Sequence, residues 1–496
     1  MATIEGTRSL SGKYSEMKYK ELGNTGLAVS DAGFGCYRVD KNIPEHAAAI
    51  EHALKHGINL LDTSANYADG GSEELIGSVL EKMTKEKSLE LDEVIIVSKG
   101  GYLQGTNLKN AKKREEEGKP YPDTVKCSPD LWHCIHPEFL EEQITLSLNK
   151  LKTERIDIYL LHNPEYFLSY SGITDVQKCR EEYYDRIAKA FEFLEREVKK
   201  GRISYYGVSS NTFAEDGDKN NFTSLDKLIE TAKSISTKNK FAVIELPLNL
   251  LERDAMKLKN SEGGTKPVLS AAMDAGLGVL VNRPLNAIEH NRIVRLTDFK
   301  IKENRTPEEV DEMISDLGKM EENLRSFVDE KINNEDERKT LIDCLSVAQI
   351  LMDNMKKFES PNHFTEVKGY YLIPRANYAV SGLAKSVEED PEMIKTLTDY
   401  ALTLNILLDS VESILAKVYN FKNEALHNKL NLYLKKEQFS LSLSQKAVLL
   451  CNSLNEVSCT LVGMRKKEYV DDVLGAVKQD YVDDAPVFWN SGEELR

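Results

Sequence analysis

Long apolar runs and paired cysteines are both missing from this 496-residue sequence. No stretch approaches the roughly 18 consecutive apolar residues that a membrane-spanning helix needs, so we predict no membrane partner. The seven cysteines contain no CxxC pair, which argues against a disulfide framework and against a zinc ribbon. Residues 1–16 are polar and do not resemble a signal peptide. We therefore expect a cytoplasmic protein.

Positive charge is also in short supply. Lys and Arg number 65 against 81 Asp and Glu, which gives a formal net charge of −16. Such an acidic chain is not expected to bind nucleic acid or anionic membranes nonspecifically. With 41% hydrophobic and 29% charged residues, the chain can still bury a core. Its length suits one large domain with an addition.

Eight short runs rich in Val, Ile and Leu recur along the chain, with helical patterns between most of them. Continuous apolar runs are typical of strands buried on both faces, and intervening helices make such strands parallel. Eight units of this kind predict an α/β fold, the (β/α)8 or TIM barrel, rather than an open doubly wound sheet. The predicted strands are residues 31–36, 58–62, 94–98, 156–161, 203–209, 241–246, 278–282 and 459–462.

The interval between the seventh and eighth predicted strands is too long for a single connecting helix. Thr306-Pro307-Glu308-Glu309 is a capping-box sequence with proline at the first helical position. Residues 341–355 and 397–419 have the apolar spacing of further amphipathic helices. Because loops that follow barrel strands lie on the catalytic face, this insertion is expected to overhang that face. We predict a barrel at 17–290 and 441–478, an all-helical subdomain inserted at 291–440, and an acidic C-terminal tail at 479–496.

Four side chains capable of acid–base chemistry follow consecutive predicted strands. Asp62 is the last residue of the second strand, and Tyr67 follows that strand. Lys99 follows the third strand and His162 the fourth. Each alone has an ordinary interpretation as a loop or structural residue. Together they meet where barrel enzymes carry out their chemistry. An ammonium beside a tyrosine favours the phenolate and lowers the tyrosine pKa, which suits a general acid that protonates a carbonyl oxygen during reduction.

These residues stand in segments that resemble the aldo-keto reductase family. The segments are LLDTSANY around Asp62 and Tyr67, VSKGG around Lys99, and LLHNPE around His162. Residues 19–36, 199–210 and 461–474 match the family as well. The resemblance covers about residues 17–290 and 441–478 and nothing within the insertion. It implies that Asp62, Tyr67, Lys99 and His162 are the catalytic tetrad, with NADPH or NADP+ bound across the barrel mouth without a glycine-rich dinucleotide motif.

The resemblance also implies a cofactor site that departs from the family pattern. Glu245 stands where glutamine is usual, Asn282 replaces the aromatic ring that stacks on the nicotinamide, and Val473 replaces an asparagine. Glu245 equally suits an exposed carboxylate at the rim. Arg465 and Lys466 suit the 2′-phosphate of NADPH, and a charged surface turn is the alternative. The implied cofactor residues are Cys36, Tyr37, Asp62, Ser209, Ser210, Glu245, Asn282, Arg283, Leu285, Gly463, Arg465 and Lys466.

The loops expected above the barrel supply a candidate substrate pocket. Tyr37, Tyr102, Trp132 and Tyr166 are predicted to form an apolar wall with polar handles, while Trp132 also suits the core of its own loop. We predict an NADPH-dependent reductase of a small aldehyde or ketone. The alternative is an NADP(H)-binding regulatory or scaffolding protein whose helical insertion contacts a partner or a second copy. A metal-dependent enzyme is disfavoured, and no metal site is predicted, because the sequence has no HExxH motif and no carboxylate cluster at the strand ends.

Overall fold

The computed structural model describes residues 1–289, 292–358, 360–384, 390–492 and 495. The chain divides into two compact units, one of Met1–Leu296 with Leu430–Arg496 and one of Thr297–Lys429. The boundary predicted at residues 290 and 291, and residues 493, 494 and 496 of the predicted tail, lie outside the described residues. In the part of the chain that is described, no helix is both long enough and apolar enough to cross a membrane.

The larger unit contains a closed barrel of eight parallel strands, which confirms the predicted (β/α)8 fold. Each predicted strand is present, with ends shifted by at most two residues. The strands pair in the order β5-β6-β7-β8-β1-β2-β3-β4, and β4 closes the barrel on β5. The strands are β1 Ala32–Gly35, β2 Leu60–Asp62, β3 Ile95–Gly100, β4 Ile156–His162, β5 Ile203–Ser209, β6 Phe241–Pro247, β7 Gly278–Asn282 and β8 Cys459–Val462.

Alternate strand residues fill the interior of the barrel. Val97 on β3 and Leu160 on β4 belong to one buried apolar cluster that also includes Leu60, Val243 and Leu280. Successive side chains of a strand point to opposite faces, so the next inward residue lies two positions further along. On five strands the residue that follows this apolar layer is polar, and it lies at the carboxyl end of the strand. These five residues are Asp62, Lys99, His162, Glu245 and Asn282.

Helices surround the barrel in the order that its connections require. The outer layer is Pro44–Lys55, Gly71–Lys85, Pro137–Leu151, Val176–Lys199, Leu225–Ile235, Val268–Asp274, Leu443–Asn452 and Lys467–Val477. Further helices of this unit are Ile4–Lys13, Gly105–Glu116, Tyr166–Tyr170, Asp254–Lys257 and Ala485–Asn490. Short strands outside the barrel are Tyr19–Glu21, Ala28–Ser30, Tyr102–Leu103, Val125–Ser128, Leu131–His133, Lys259–Ser261, Lys266–Pro267, Asn286–Glu289 and Arg292–Arg295.

The acidic C-terminal segment is an ordered part of the barrel unit. Trp489 in the helix Ala485–Asn490 is fully buried, and its Nε1 donates a hydrogen bond to the Leu450 carbonyl at 3.0 Å. Tyr481 donates through its hydroxyl to the Asp31 carboxylate at 2.8 Å. Burial of the Trp489 indole helps to explain why this acidic segment packs against the rest of the barrel unit.

The second unit, Thr297–Lys429, is helical and has its own apolar core. Its first helix begins with the predicted capping box, in which Thr306 and Glu309 each hydrogen-bond the other's backbone amide. The helix predicted over 341–355 is interrupted at Leu345 and Ser346. The helix predicted over 397–419 is part of a longer one. The helices are Pro307–Lys331, Glu335–Cys344, Val347–Asn354, Pro361–Val367, Ile373–Ala384 and Pro391–Leu430.

Candidate active site

The four residues predicted to form the tetrad come together at the carboxyl ends of β2, β3 and β4. The Lys99 ammonium, with no exposed surface, forms an ion pair and hydrogen bond with Asp62. The Lys99 Nζ lies 5.4 Å from the centroid of the Tyr67 ring. The rings of Tyr67 and His162 meet edge to face with centroids 5.8 Å apart. The barrel register thus assembles an amine, a carboxylate, a phenol and an imidazole in one buried site.

A fifth polar side chain, Glu245 on β6, completes the surroundings of Lys99. Its Oε2 lies 3.1 Å from the Lys99 Nζ, and its Oε1 accepts a hydrogen bond of 2.7 Å from the Asn282 side chain. Glu245 is only 2% exposed, so the interpretation as a rim carboxylate is wrong. Strand alternation from buried Val243 to Glu245 was the sequence signal for an inward side chain. Lys99 therefore contacts two buried carboxylates.

The two carboxylates keep the lysine charged. Burial by itself lowers the pKa of Lys99, but the charges of Asp62 and Glu245 outweigh it and the net direction is upward. Burial raises the pKa of Asp62 to about 7, where Glu245 adds to the rise and Lys99 opposes it. The site thus holds one firmly protonated amine and a carboxyl group, Asp62, that titrates near neutrality.

Tyr67 is the only member of the tetrad that follows its strand rather than ending it. Its pKa is raised, first because the phenol is buried and then because Asp62 and Glu245 are negatively charged. The charge and hydrogen bond of Lys99 lower the pKa, as the sequence predicted, but they are smaller than the effect of burial. Tyr67 is therefore a neutral phenol at neutral pH, and it is able to donate a proton.

Both the side chain and the backbone of His162 form hydrogen bonds. Its Nδ1 lies 3.0 Å from the Ser64 hydroxyl, and its backbone carbonyl lies 2.7 Å from the Nε2 of His133. Burial lowers the pKa of His162 well below its ordinary value, and the nearby positive charge of Lys99 lowers it further. A neutral imidazole at this position can exchange hydrogen bonds with a substrate oxygen. The sequence prediction did not include Ser64, although it lies in the same segment as Asp62 and Tyr67.

Aromatic rings line one side of this group. Tyr37 meets Tyr67 edge to face at 5.2 Å between centroids, and Tyr102 meets His162 in the same way at 4.6 Å. Tyr166 lies 5.4 Å from the Tyr102 ring and is stacked with His133 at 5.6 Å. Three of the four predicted pocket residues therefore surround the tetrad, and His133 joins them.

Trp132 is the predicted pocket residue that the structure does not bring into this cluster. It pairs with Leu103 across two short strands, whereas the next residue, His133, pairs with Tyr102. Adjacent strand residues face opposite sides, so Trp132 points away from the side where His133 contacts the pocket. Its ring lies beside the ammonium of Lys126, with 4.5 Å between Nζ and the centroid. Trp132 belongs to the packing of its own loop, which was the alternative interpretation.

Several residues of the predicted cofactor site border the tetrad directly. Cys36 is buried after β1, and its backbone amide donates to the Asp62 carbonyl at 2.8 Å. Ser209 ends β5 in register with both His162 and Glu245. Ser210 is buried beside it, and its hydroxyl lies 3.1 Å from the Thr212 hydroxyl. These three residues therefore lie at the strand ends to which the sequence assigned the nicotinamide half, and their backbone groups are hydrogen-bonded to neighbouring strand ends.

Other predicted cofactor residues lie in the loops after β7 and β8. The Arg283 guanidinium forms an ion pair of 2.9 Å with Glu252, so this cation already has a protein partner. Leu285 accepts a backbone hydrogen bond of 3.0 Å from Leu296. Gly463 is exposed, and a side chain at its position would meet no atom within 4 Å. This open loop precedes two further predicted residues, Arg465 and Lys466.

Two features of the structure fit a phosphorylated nicotinamide dinucleotide. Lys466 is the N-cap residue of the helix Lys467–Val477, so exposed cations stand at a helix N-terminus, an arrangement that favours phosphate. The Oδ1 of Asn282 is buried and has no hydrogen-bond partner among the described residues. An amide N–H from a ligand would satisfy that acceptor. Within the described residues, no group of three or more His, Cys, Asp and Glu side chains is placed to hold a metal ion.

Comparison with known proteins agrees with this arrangement. The aldo/keto reductase family model matches residues 33–260. An uncharacterized oxidoreductase of Bacillus subtilis, YqkF, is 27% identical over 214 residues, which are 42% of this chain and 55% of that protein. The 6-dehydroglucose reductase of Novosphingobium aromaticivorans is 28% identical over 227 residues, 44% of this chain and 59% of the other. The chain thus spans somewhat more than half the length of these curated relatives.

A solved structure is similar to this chain as well. The holo form of the aldo-keto reductase AKR11C1 from Bacillus halodurans is 16% identical, covers 95% of each chain, and has a TM-score of 0.48. The family match spans β1 to β6 and includes all four residues of the tetrad. Residues 33–260, which include most of the barrel strands, thus match the aldo/keto reductase family.

Proposed function

We propose that the protein is an NADPH-dependent carbonyl reductase that converts a small aldehyde or ketone to an alcohol. The observation that carries the proposal is the buried contact of Lys99 with Asp62 beside the Tyr67 phenol. Carbonyl reduction requires a proton for the oxygen as hydride reaches the carbon. Tyr67 is the group that can donate this proton, because it is protonated at neutral pH and lies beside a fixed positive charge.

Other residues of the site have separate roles in the proposed reaction. Lys99 stabilises negative charge that develops on the Tyr67 oxygen as its proton leaves, and Asp62 anchors Lys99. His162 is held by Ser64 and packs edge to face against the Tyr67 ring, and its neutral imidazole accepts a hydrogen bond from the hydroxyl of the alcohol once that has formed. The rings of Tyr37, Tyr102 and Tyr166 provide the apolar side of the substrate pocket.

The residues that would hold the cofactor are the strand ends and the last two βα loops. Asn282 offers a buried, unpartnered acceptor to a carboxamide, and Arg465 and Lys466 offer cations to a phosphate. A bound nicotinamide dinucleotide supplies the hydride. A 2′-phosphate needs cations, and these two basic residues in an otherwise acidic protein favour NADPH over NADH.

The test is NADPH oxidation on a panel of aldehydes and ketones with the full-length protein. Tyr67→Phe removes the proton donor with little change in shape, so kcat should fall about 10²–10⁴-fold. Tyr102→Phe is the matched control, since this phenol accepts a hydrogen bond from Asn163 and has no proposed proton to give. The proposal is wrong if the wild type binds NADPH but reduces no carbonyl faster than Tyr67→Phe does.

A further inference from the structure

The buried site contains one more negative group than positive groups. Lys99 is its cation, and Asp62 and Glu245 are both in contact with the Lys99 ammonium. His162 and Tyr67, the other titratable members, are neutral at neutral pH because burial shifts their pKa values in the directions that favour the uncharged forms. When both carboxylates are ionised, the site therefore has a net charge of −1.

Proton transfer by Tyr67 determines where a hydride donor has to be. The carbonyl oxygen must lie within hydrogen-bond distance of the Tyr67 hydroxyl, about 3 Å, and the hydride donor about 3–3.5 Å from the carbonyl carbon. The Lys99 Nζ lies 5.4 Å from the Tyr67 ring centroid and 3.1 Å from Glu245, so the phenol and the Glu245 carboxylate belong to the same buried site. For a nicotinamide that reacts beside Tyr67 we take a separation from Glu245 on the order of 10 Å.

The two redox states of a nicotinamide differ by one charge. The oxidised ring carries a positive charge and the reduced ring is neutral. At a separation of about 10 Å and an effective dielectric constant of about 20, one buried carboxylate favours a cation on the order of tenfold. The neutral ring gains nothing comparable. An additional carboxylate in this position therefore raises the affinity for the oxidised ring and leaves the affinity for the reduced ring almost unchanged.

We propose that Glu245 makes this site select the oxidised, cationic form of the nicotinamide dinucleotide over the reduced form. The proposal rests on the proposed function, since it takes the position of the nicotinamide from the reaction. It has a consequence for regulation. Reduction of the carbonyl leaves the more tightly held form in the site, so the reductase is inhibited by NADP+ and responds to the ratio of NADP+ to NADPH.

The contacts of Glu245 suggest a clean pair of variants. Glu245→Gln removes the charge and keeps an oxygen that can accept from Asn282. Glu245→Asp keeps the charge with a shorter side chain. Glu73→Gln is the matched control, because Glu73 is also fully buried in the barrel unit but hydrogen-bonds Ser98, outside the tetrad. Circular dichroism and thermal melting establish that each variant is folded.

The experiment measures the dissociation constants of NADP+ and NADPH separately by calorimetry, without turnover. Glu245→Gln should weaken NADP+ on the order of tenfold and leave NADPH within about twofold, whereas Glu245→Asp and Glu73→Gln should keep the wild-type ratio. An unchanged ratio in Glu245→Gln, or an equal loss for both forms, overturns the inference while the proposed function stands. If the wild type binds neither dinucleotide, the proposed function fails and the inference fails with it.

Discussion

The hydroxyl oxygen of Ser64 lies 3.0 Å from the Nδ1 of His162. The same oxygen lies 2.6 Å from the Oδ1 of Asn66 and 3.2 Å from the Lys99 carbonyl, and both of these atoms only accept hydrogen bonds. The orientation of the Asn66 amide follows from its Nδ2, which donates to Gln104. The single hydroxyl proton of Ser64 therefore goes to an acceptor, and His162 must donate to Ser64 through Nδ1–H.

This contact determines which form of the neutral imidazole is present. We predict that His162 carries its proton on Nδ1, so its Nε2 is an acceptor that suits the hydroxyl of the alcohol product. Nitrogen-15 NMR of histidine-labelled protein distinguishes the two tautomers directly. Ser64→Ala should remove the preference for Nδ1–H, and Ser64→Thr should keep it. A wild-type His162 signal with the proton on Nε2 contradicts this assignment.

The second prediction concerns pH and follows from the raised pKa of Asp62. The pKa is about 7 in the folded protein, so Asp62 gains its negative charge as the pH rises through neutrality. A cationic ligand prefers the ionised carboxylate, so the affinity for NADP+ should rise from pH 6 to pH 8 and then level off. The affinity for NADPH should change less. The titratable groups that face Asp62 are Lys99, Glu245, Tyr67, Cys36 and Cys459.

Those neighbours do not produce the same profile. Lys99 stays protonated over this range, and burial raises the pKa values of the Cys36 and Cys459 thiols well above their ordinary value. Dissociation constants measured by calorimetry across the range check the prediction, and Asp62→Asn should flatten the NADP+ profile. A profile that keeps its slope in Asp62→Asn would assign the titration to another group.

The barrel could be predicted from the sequence because each of its strands is specified by a short, local pattern of residues. Each strand is a short apolar run, and a strand buried on both faces needs little else. The four tetrad residues could be found because they end or follow such runs. The contact between Lys99 and Glu245 joins β3 to β6, and it depends on the inclination of the closed barrel, which no single segment encodes. The sequence therefore identified Glu245 as a candidate site residue but did not predict its contact with Lys99.

Two other differences have equally physical causes. Trp132 is apolar and next to His133, so composition could not separate them, whereas the pairing of two short strands assigns them to opposite faces. The break at Leu345 and Ser346 lies within a continuous helical pattern. There the buried carboxylate of Glu321, on a different helix, accepts hydrogen bonds from the backbone amides of Val347 and Ala348. A new helix begins at Val347. Such a cap is tertiary, and periodicity does not reveal it.

The third prediction uses stability to test the charges around Lys99. Lys99→Met leaves Asp62 and Glu245 buried together without a cation, which should lower the free energy of unfolding by about 3–5 kcal/mol. Lys99→Met with Glu245→Gln should recover part of that loss, because only one carboxyl group then remains without its partner. The loss should also be smaller at pH 6 than at pH 8, since a protonated carboxyl group is cheaper to bury.

Tryptophan fluorescence during urea unfolding is the appropriate measurement. The two tryptophans of the chain, Trp132 and Trp489, both lie in the barrel unit, so their emission follows that unit alone. Lys85→Met serves as the control, because Lys85 is an exposed cation in an ion pair with Glu81 and little stability depends on such pairs. Equal losses in the single and double variants would mean that Glu245 and Lys99 do not interact.

The last prediction concerns the helical unit. Glu321 has no exposed surface, and its carboxylate accepts from the amides of Val347 and Ala348 at 2.8 and 3.2 Å and from the Tyr400 hydroxyl at 3.1 Å. Glu321→Ala leaves three buried donors without that acceptor, and each unsatisfied group costs about 1–3 kcal/mol. In this variant we expect the helix Val347–Asn354 to open more readily than any other part of the helical unit.

Hydrogen exchange followed by mass spectrometry resolves this opening by segment. Residues 347–354 should exchange at least tenfold faster in Glu321→Ala, because about 1.4 kcal/mol of lost local stability is already a factor of ten. Glu322→Ala is the matched control, since the neighbouring carboxylate is exposed on the same helix. Glu321→Gln should fall between the two, as its one carbonyl oxygen can replace only part of the carboxylate's contacts. Uniform exchange across the three variants would show that the helix begins at Val347 for reasons other than this cap.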